Sequence, residues 1–258
     1  MKARNNLFLG FVLFFLYLPI IILIVFSFNT SKMNIIFEGF TFDWYKTLFS
    51  NKELIEAFIN TMIIAFTSTV ISTVIGTISA VGLSKYNFPF KGLINKLIYI
   101  PIVIPEIVLG ISLLSVYTLT KIELGMFTLI LSHIAFSIPF VILSVRSTLS
   151  DSLKTYEEAA KDLGASNFKT FFLVTLPYIM PGVISGATLA FTLSLDDVVI
   201  SYFTSGPSSN TLPLKIYSMI KTGISPDVNA LSSLMLLVTI IILTLSAVIQ
   251  VRKIGEEK

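Results

Sequence analysis

The sequence predicts an all-α membrane protein that crosses the bilayer six times. Of its 258 residues, 54% are hydrophobic and only 13% are charged, whereas a soluble domain carries about a quarter charged residues. The mean hydropathy is +0.88. Apolar runs of about 20 residues, the length that crosses a hydrocarbon core of ~30 Å, recur along the chain. These three observations together indicate a polytopic helical membrane protein.

Six segments have the length and composition of a membrane-spanning helix. They are residues 7–28, 57–83, 97–117, 126–145, 179–203 and 230–251. The first follows Lys2 and Arg4 as a secretory signal would, but it is longer than the apolar region of a signal and lacks a small-x-small cleavage site before Asn29. We therefore expect an uncleaved first span. No loop is long enough for a separate soluble domain, so residues 1–258 are expected to form a single transmembrane domain.

The distribution of basic residues predicts the orientation of the chain. Six spans place both termini on one side, and lysine and arginine are enriched in cytoplasmic loops. The basic residues on the side of the termini are Lys2, Arg4, Lys85, Lys91, Lys96, Arg146, Lys154, Lys161, Lys169, Arg252, Lys253 and Lys258. Those on the opposite side are Lys32, Lys46, Lys52, Lys121, Lys215 and Lys221. We therefore expect cytoplasmic termini.

Two short helices are predicted in the outer loops. Asp43 is expected to cap a helix that carries Trp44 and Tyr45, whose aromatic side chains suit the membrane–water boundary. Residues 212–220 predict an amphipathic helix with Pro213 in its first turn.

Small residues mark where spans approach other helices closely, because tight van der Waals contact holds helices together in lipid. One stripe is formed by Ala65, Thr69, Ser72, Gly76 and Ala80, and another by Gly182, Gly186 and Ala190. The second stripe, continued by four and then three residues, reaches Ser194 and Asp197. A closely packed face is thus predicted to run into an acidic position.

Four ionisable groups lie inside the predicted spans: Glu106, His133, Asp196 and Asp197. Each such group costs about 2.5–3.5 kcal/mol on insertion scales, and groups of this kind usually mark a transport path. Three of the four are carboxylates, and no lysine or arginine lies within a span. This bias favours a cationic solute. Pro101 and Pro105 are expected to bend the third span just before Glu106.

The side chains of the two adjacent aspartates cannot both face one point, because neighbouring residues on a helix are about 100° apart. One of Asp196 and Asp197 would face a cavity while the other meets a neighbouring helix or the outer interface. The alternative is that the pair simply ends the helix at the water boundary. His133 is expected to be a hydrogen-bonded packing residue rather than a ligand.

Several classes of enzyme and binding protein are excluded by residues the chain lacks. It has no cysteine and one histidine, so a zinc site would need three carboxylates gathered from two helices. The combinations of residues that intramembrane proteases use, such as a serine with a histidine base or paired aspartates on separate spans, are not complete in this sequence. No Gly-rich phosphate loop is present either. The net charge of +3 comes from short loops rather than from one patch, so no nucleic acid is expected. We expect a transport subunit that has no cofactor and no nucleotide site, and if transport is powered by a nucleotide, another subunit must bind it.

The polar segment of residues 150–177 is the part of the chain that organises the rest. A helix is predicted to start near Ser150, to carry Leu153, Tyr156, Ala160 and Leu163 on one face, and to stop at Gly164. A second helix is predicted to begin at Ser166 or Asn167. The segment lies between spans and is the only polar surface large enough to receive a partner subunit.

This segment resembles the "EAA" motif of permease subunits in binding-protein-dependent ABC importers. Glu158-Ala159-Ala160 is followed after three residues by Gly164 and then by Leu176-Pro177. Val174 stands where isoleucine is usual. Residues 57–61 and Pro181-Gly182 are also similar to the family's pattern, so that the resemblance covers nearly the whole chain.

The resemblance implies a type I ABC importer permease (MetI-like) fold in a bacterial cytoplasmic membrane. It implies as partners a second homologous permease subunit, two copies of a cytoplasmic ATP-binding subunit and an extracytoplasmic binding protein. The polar segment becomes the helix that couples to the ATPase, with Glu158 and Gly164 as key positions. The implied coupling residues are Tyr156, Glu157, Glu158, Ala159, Ala160, Gly164, Leu176 and Pro177.

Two stretches resemble the second permease of spermidine/putrescine importers, namely residues 194–201 (SLDDVVIS) and 212–218 (LPLKIYS). The binding protein would then be a polyamine-binding protein. The expected substrate path is formed by Trp44, Glu106, Ser194, Asp196 and Asp197. Trp44 would offer a cation–π contact, although plain interfacial anchoring is the other interpretation of this residue. Three alternatives stay open. The first is a permease of the same family for iron(III), thiosulfate or a sugar. The second is a proton-coupled secondary transporter that uses Glu106 and His133 as a relay, and the third is a structural membrane subunit with no transport role.

Overall fold

The computed structural model describes residues 2–31, 36–222, 226–238 and 240–241, and these residues are almost entirely helical. The helices are α1 (Lys2–Phe26), α2 (Asp43–Ser50), α3 (Lys52–Lys85), α4 (Lys91–Leu97), α5 (Ile100–Val103), α6 (Glu106–Leu119), α7 (Met126–Arg146), α8 (Asp151–Asp162), α9 (Asn167–Thr170), α10 (Leu176–Asp196), α11 (Val199–Thr204) and α12 (Leu212–Thr222), followed by α13 (Pro226–Val238). The described part of the chain has no strand beyond a single bridge between Asn29 and Phe40. The predicted all-α class is confirmed. The chain forms two compact units, Glu56–Lys215 and the residues on either side of it.

Within the described ranges, four helical segments are long and apolar enough to cross a membrane. They are α1 from Phe8, α3, α7 and the continuous segment Asn167–Asp196. A fifth candidate is a bent pair, Lys91–Val103 with Glu106–Leu119. The predicted sixth span, residues 230–251, lies largely outside the described residues, and its described beginning belongs to α13. Six spans and cytoplasmic termini stay predictions.

The third predicted span, residues 97–117, is broken rather than continuous. The two helical segments on either side of the break are bent by 110°. Ile104 is extended, with ψ at 135°, because a residue that precedes proline is pushed out of the helical region. Pro105 has no amide hydrogen to continue the helix. The bend predicted from the prolines is confirmed, and Glu106 becomes the first residue of α6.

The fifth predicted span, residues 179–203, is also interrupted. The long helix ends at Asp196, Asp197 is extended with φ −63° and ψ 123°, and the separate helix α11 follows. At its other end α10 continues from α9 through a π-helical turn, Phe171–Thr175. Such turns are rare and frequently lie at functional sites.

The core of the unit Glu56–Lys215 is built around α7, which packs against both α3 and α10. A Cβ added to Gly76 would lie 2.6 Å from the Val141 side chain, and one added to Gly186 would lie 3.1 Å from the Val141 backbone. Ala80 and Ala190 are fully buried. Both predicted small-residue stripes therefore face closely packed helices, as expected.

The start of α3 is tied to the loop that precedes α12. Asn60 Nδ2 donates to the Asn210 carbonyl at 3.2 Å, and the Leu212 amide donates to Thr61 Oγ1 at 2.8 Å. These two bonds give the residues 57–61 pattern a structural role, because they satisfy loop backbone groups that would otherwise be unpaired.

The other unit contains α1, α2 and the turn between them. None of the α1 side chains from Phe8 to Phe26 is buried within the chain. Trp44 Nε1 donates to the Asn29 carbonyl at 2.6 Å, so that α2 folds back on the turn. The prediction that Asp43 caps α2 is wrong. Asp43 is the first helical residue, and its own amide donates to Thr41 Oγ1 at 3.1 Å.

Candidate functional site

The break between α10 and α11 separates the two adjacent aspartates. Asp197 is buried, with 8% of its surface exposed, whereas Asp196 is exposed. The extended backbone at Asp197 turns the two side chains to different sides. This arrangement agrees with the expectation that the pair cannot face one point, and it shows which of the two points inward.

Asp197 is held by the first turn of α11. Its Oδ1 accepts from the Ile200 amide at 3.1 Å, and its Oδ2 accepts from the Ser201 amide and the Ser201 hydroxyl, both at 2.7 Å. These are charge-assisted bonds to donors that a helix start leaves unpaired. The carboxylate therefore caps α11 from inside the protein.

His133 joins this carboxylate to α3 and α10. Its Nε2 lies 3.2 Å from Ser201 Oγ and 3.5 Å from Asp197 Oδ2, and its Nδ1 lies 2.6 Å from Ser194 Oγ. Ser194 Oγ in turn lies 3.3 Å from Ser68 Oγ. His133 is thus a hydrogen-bonded interior residue, as expected. The sequence analysis does not identify Ser68 or Ser201, because the contacts of Ser68 with Ser194 and of Ser201 with His133 join residues that lie far apart along the chain.

The last turn of α11 is fixed against two neighbouring helices. A Cβ added to Gly110 of α6 would lie 2.6 Å from the Phe203 ring, so the two helices are in close contact. The Thr204 carbonyl, at the end of α11, accepts from Thr128 Oγ1 of α7 at 2.8 Å. The position of α11 is consequently determined at its start, its middle and its end.

Glu106 lies close to the break. It is one helical turn before Gly110, on the face of α6 that meets α11, and it interacts electrostatically with both Asp196 and Asp197. Glu106 is exposed. The structure therefore brings the three predicted carboxylates together and leaves two of them accessible, while Ser194 and Asp197 are buried. In the described part of the chain, no three acidic or histidine side chains converge in the manner of a metal site.

Trp44 belongs to the other unit and is partly buried. Its indole nitrogen donates to the Asn29 carbonyl, so that only the faces of the ring are left for contact with a ligand. Phe28, Phe40 and Phe42 pack together in the same unit.

The polar segment has the predicted helical bounds. Ser150 precedes α8, Gly164 follows it with φ +84°, and Ser166 Oγ caps α9 by accepting from the Lys169 amide. Only glycine adopts such a positive φ without strain. Along the face that carries Leu153, Tyr156 and Leu163, Leu153 is buried, whereas Tyr156 and Leu163 are 55% and 90% exposed.

Glu157, rather than Glu158, is the buried acid of the motif. Glu157 Oε1 lies 2.5 Å from Lys85 Nζ and accepts from the Thr175 hydroxyl. This cluster joins α8 to the end of α3 and to the π-helical turn. Glu158 has a largely exposed side chain, 3.9 Å from Lys154, and is free to meet a partner.

An open cavity lies beside this cluster, with a volume of about 670 Å³. Its wall combines the end of α3 with one face of α8 and includes Lys85, Asp151, Lys154, Glu157, Glu158 and Lys161. Ala159 and Gly164 are exposed and Ala160 is partly exposed. Leu176 is partly buried and Pro177 exposed at the first turn of α10. The α8 surface is therefore polar on one side and open to a partner.

Comparison with known proteins identifies similar permeases. PotC, the spermidine/putrescine transport system permease protein of Escherichia coli (strain K12), is 45% identical over 235 residues, which cover 91% of this chain and 89% of PotC. PotI, the putrescine transport system permease protein of the same strain, is 39% identical over 238 residues, which cover 89% of this chain and 84% of PotI.

Two solved structures share the fold. A bacterial alginate ABC transporter in complex with an alginate pentasaccharide-bound periplasmic protein has a TM-score of 0.71 and 18% identity, and the match covers 95% of this chain and 91% of that one. The MetNI methionine ABC transporter in an inward-facing conformation has a TM-score of 0.60 and 20% identity, and the match covers 75% and 92%. At these identities the likeness establishes the fold alone, which is that of an ABC importer permease.

A protein family described as "Binding-protein-dependent transport system inner membrane component" matches residues 72–254, more than half of the chain. Members of this family are multi-pass membrane subunits, and ATP is hydrolysed by a separate subunit. The EAA resemblance of the polar segment is thereby confirmed at the level of the family. This chain belongs to the family of binding-protein-dependent transport system inner membrane components.

Proposed function

We propose that this chain is a permease subunit of an ATP-driven importer that moves polyamines, spermidine and putrescine, into the cell. The observation that carries the proposal is the group of carboxylates at the α10–α11 break, of which Glu106 and Asp196 are exposed. No lysine or arginine lies within a predicted span. A protonated polyamine exchanges its water for such carboxylates. The names of the relatives PotC and PotI support the same substrate class.

The proposed complex contains a second homologous permease, two copies of a cytoplasmic ATP-binding subunit and an extracytoplasmic polyamine-binding protein. The chain would act as one transmembrane domain with six spans and cytoplasmic termini in a bacterial cytoplasmic membrane. The α8 surface supports this assignment of partners, because Glu158 and the wall of the adjoining cavity are polar and accessible. Gly164 supports it as well, since its positive φ sets the angle between α8 and α9.

Reconstitution tests the substrate and the energy source together. Proteoliposomes that contain the complete complex and enclosed ATP should take up radiolabelled spermidine when the loaded binding protein is outside. Unlabelled putrescine should compete, and a protonophore should have no effect. Uptake driven by a proton gradient without ATP would favour the secondary transporter. Binding of iron(III), thiosulfate or a sugar by the binding protein, without polyamine binding, would favour the other solutes.

The role of the carboxylates at the α10–α11 break is tested by neutralising one of the exposed carboxylates. Asp196→Asn should lower spermidine uptake per inserted complex several-fold, because a cation in transit loses one of its counter-charges. Glu123→Gln is the matched control, since Glu123 is an exposed acid in the loop that precedes α7. Equal uptake by the two variants would contradict a role of the break in cargo passage.

A further inference from the structure

We propose that His133 is a positioning residue for transport, which acts through Ser201 and Asp197 to fix the α10–α11 break. This inference rests on the proposed transport function. Asp197 then influences transport through His133 and α11 rather than by touching the cargo. The exposed acids Asp196 and Glu106 are the groups that this arrangement orients.

In one assignment of donors and acceptors, the hydrogen bonds of the network run in a single direction. Ser201 Oγ donates to Asp197 Oδ2 at 2.7 Å, so its lone pair is available to the His133 Nε2 proton at 3.2 Å. His133 Nδ1 then accepts from Ser194 Oγ at 2.6 Å, and Ser194 accepts from Ser68 Oγ at 3.3 Å. An imidazole with its proton on Nε2 satisfies every member.

All five members of this network are buried, namely Ser68, His133, Ser194, Asp197 and Ser201. No more than 8% of any of them is exposed, and Ser68 and Ser201 are fully enclosed. A polyamine cannot reach Asp197 while the carboxylate is bonded in this way. In a low-dielectric interior, a polar network with an unsatisfied member is costly. The network therefore favours a single geometry of the break.

The network also joins four helices, because its members come from α3, α7, α10 and α11. Removing the imidazole would take one hydrogen-bond partner from each of Ser201 and Ser194, and would leave the first turn of α11 held by Asp197 alone. Since α11 packs on α6 at Gly110, a shift of α11 would change the distance between Glu106 and Asp196. His133 would thus affect the path from a distance.

A double-mutant cycle distinguishes positioning from direct contact. We expect His133→Ala and Asp197→Asn each to lower spermidine uptake per inserted complex by about tenfold, and the double variant to be no worse than the poorer single one. His133→Gln, which keeps a polar end near Nε2, should recover part of the rate. Glu158→Gln combined with His133→Ala should give multiplied losses, because Glu158 lies in a separate exposed pair with Lys154 and shares no partner with His133. Multiplied losses for His133 with Asp197, or normal uptake by His133→Ala, would overturn the proposal.

A second measurement is independent of the solute. The chain has no cysteine, so a single Asp196→Cys reports local accessibility through its rate of reaction with a membrane-impermeant cationic thiol reagent. We expect that rate to change several-fold when His133→Ala is added. Thr61→Val is the control, because it removes another buried bond, 2.8 Å long, from the Leu212 amide, and neither residue belongs to the network or to α11. An unchanged rate in the His133 variant would overturn the proposal even if the solute proved not to be a polyamine.

Discussion

The two ends of α10 carry buried polar clusters of different construction. At Thr175 the cluster is an ion pair at the border of solvent, in which the Lys85 side chain is 30% exposed. At the far end, roughly 30 Å away by helical rise, His133 and Asp197 have side chains that are only 3% and 4% exposed. One end of the helix meets water, and the other is closed off from it.

This difference in construction suits each end of α10 to a different proposed task. A lysine on a flexible stem can keep its partner while the backbone moves, so the Lys85–Glu157 pair suits an end that receives motion from an ATPase. The carboxylate of Asp197 is instead fixed by backbone and side-chain donors in one geometry. It suits an end that holds the acids of the path in place.

The largest effect is expected from reversing the charge at the solvent-bordering end. Lys85→Glu would place two carboxylates together at the buried Glu157, and breaking a buried pair in this way costs about 3–5 kcal/mol. We expect ATP-driven uptake to fall by at least about 100-fold and α8 to become sensitive to proteases. The swap Lys85→Glu with Glu157→Lys should restore part of the rate.

Lys154→Glu is the matched control for this reversal, because the exposed Lys154–Glu158 pair is 3.9 Å long and such pairs contribute little. It should leave the stability of the permease unchanged. If Lys154→Glu made α8 as sensitive to proteases as Lys85→Glu does, the difference between the buried and exposed pairs would not hold.

The next largest effect is expected from a substitution in α10, the helix that connects the two clusters. A Cβ on Gly182 would lie 2.8 Å from the Ser144 carbonyl of α7, and a backbone atom cannot easily move aside. We expect Gly182→Ala to lower the free energy of unfolding by about 1–3 kcal/mol. Gly82→Ala, where nothing lies within 4 Å, should be neutral. Thermal unfolding of the two variants in detergent measures the difference, and equal midpoints would contradict tight packing of α10 on α7.

Glu158→Gln should have a smaller effect, confined to assembly. The Glu158 side chain is largely exposed, so its loss leaves the fold of the permease intact. We expect weaker association with the ATP-binding subunit and uptake lowered several-fold. Co-purification of the ATPase with each variant gives the measurement. A destabilised permease with normal ATPase binding would contradict the assignment of Glu158 to the partner surface.

The sequence predicts what depends on local signals. Ser150 and Gly164 bound α8 as expected, and Pro105 bends the third span, because caps, positive φ and a missing amide act on neighbouring residues. A helix end at Asp196 and Asp197 is one of the two interpretations that the sequence allows, but the inward turn of Asp197 is not predicted, since the histidine that faces it lies on another helix. The burial of Glu157 rather than Glu158 is predictable from the sequence, because Glu157 follows Leu153 by four residues and so shares its buried face.

The smallest effect is expected at Gly164. A substitution there measures backbone strain separately from side-chain packing. No atom lies within 4 Å of a Cβ placed there, and the strain comes from the φ of +84° alone. Gly164→Ala should therefore cost about 1 kcal/mol, less than Gly182→Ala, and Gly164→Asn should cost less still, since asparagine tolerates this conformation. Unfolding midpoints measured in detergent rank the three variants. If Gly164→Ala were the most destabilising, the α8–α9 turn would depend on contacts and not on its backbone, and the solvent-bordering end of α10 would be as closely packed as the closed one.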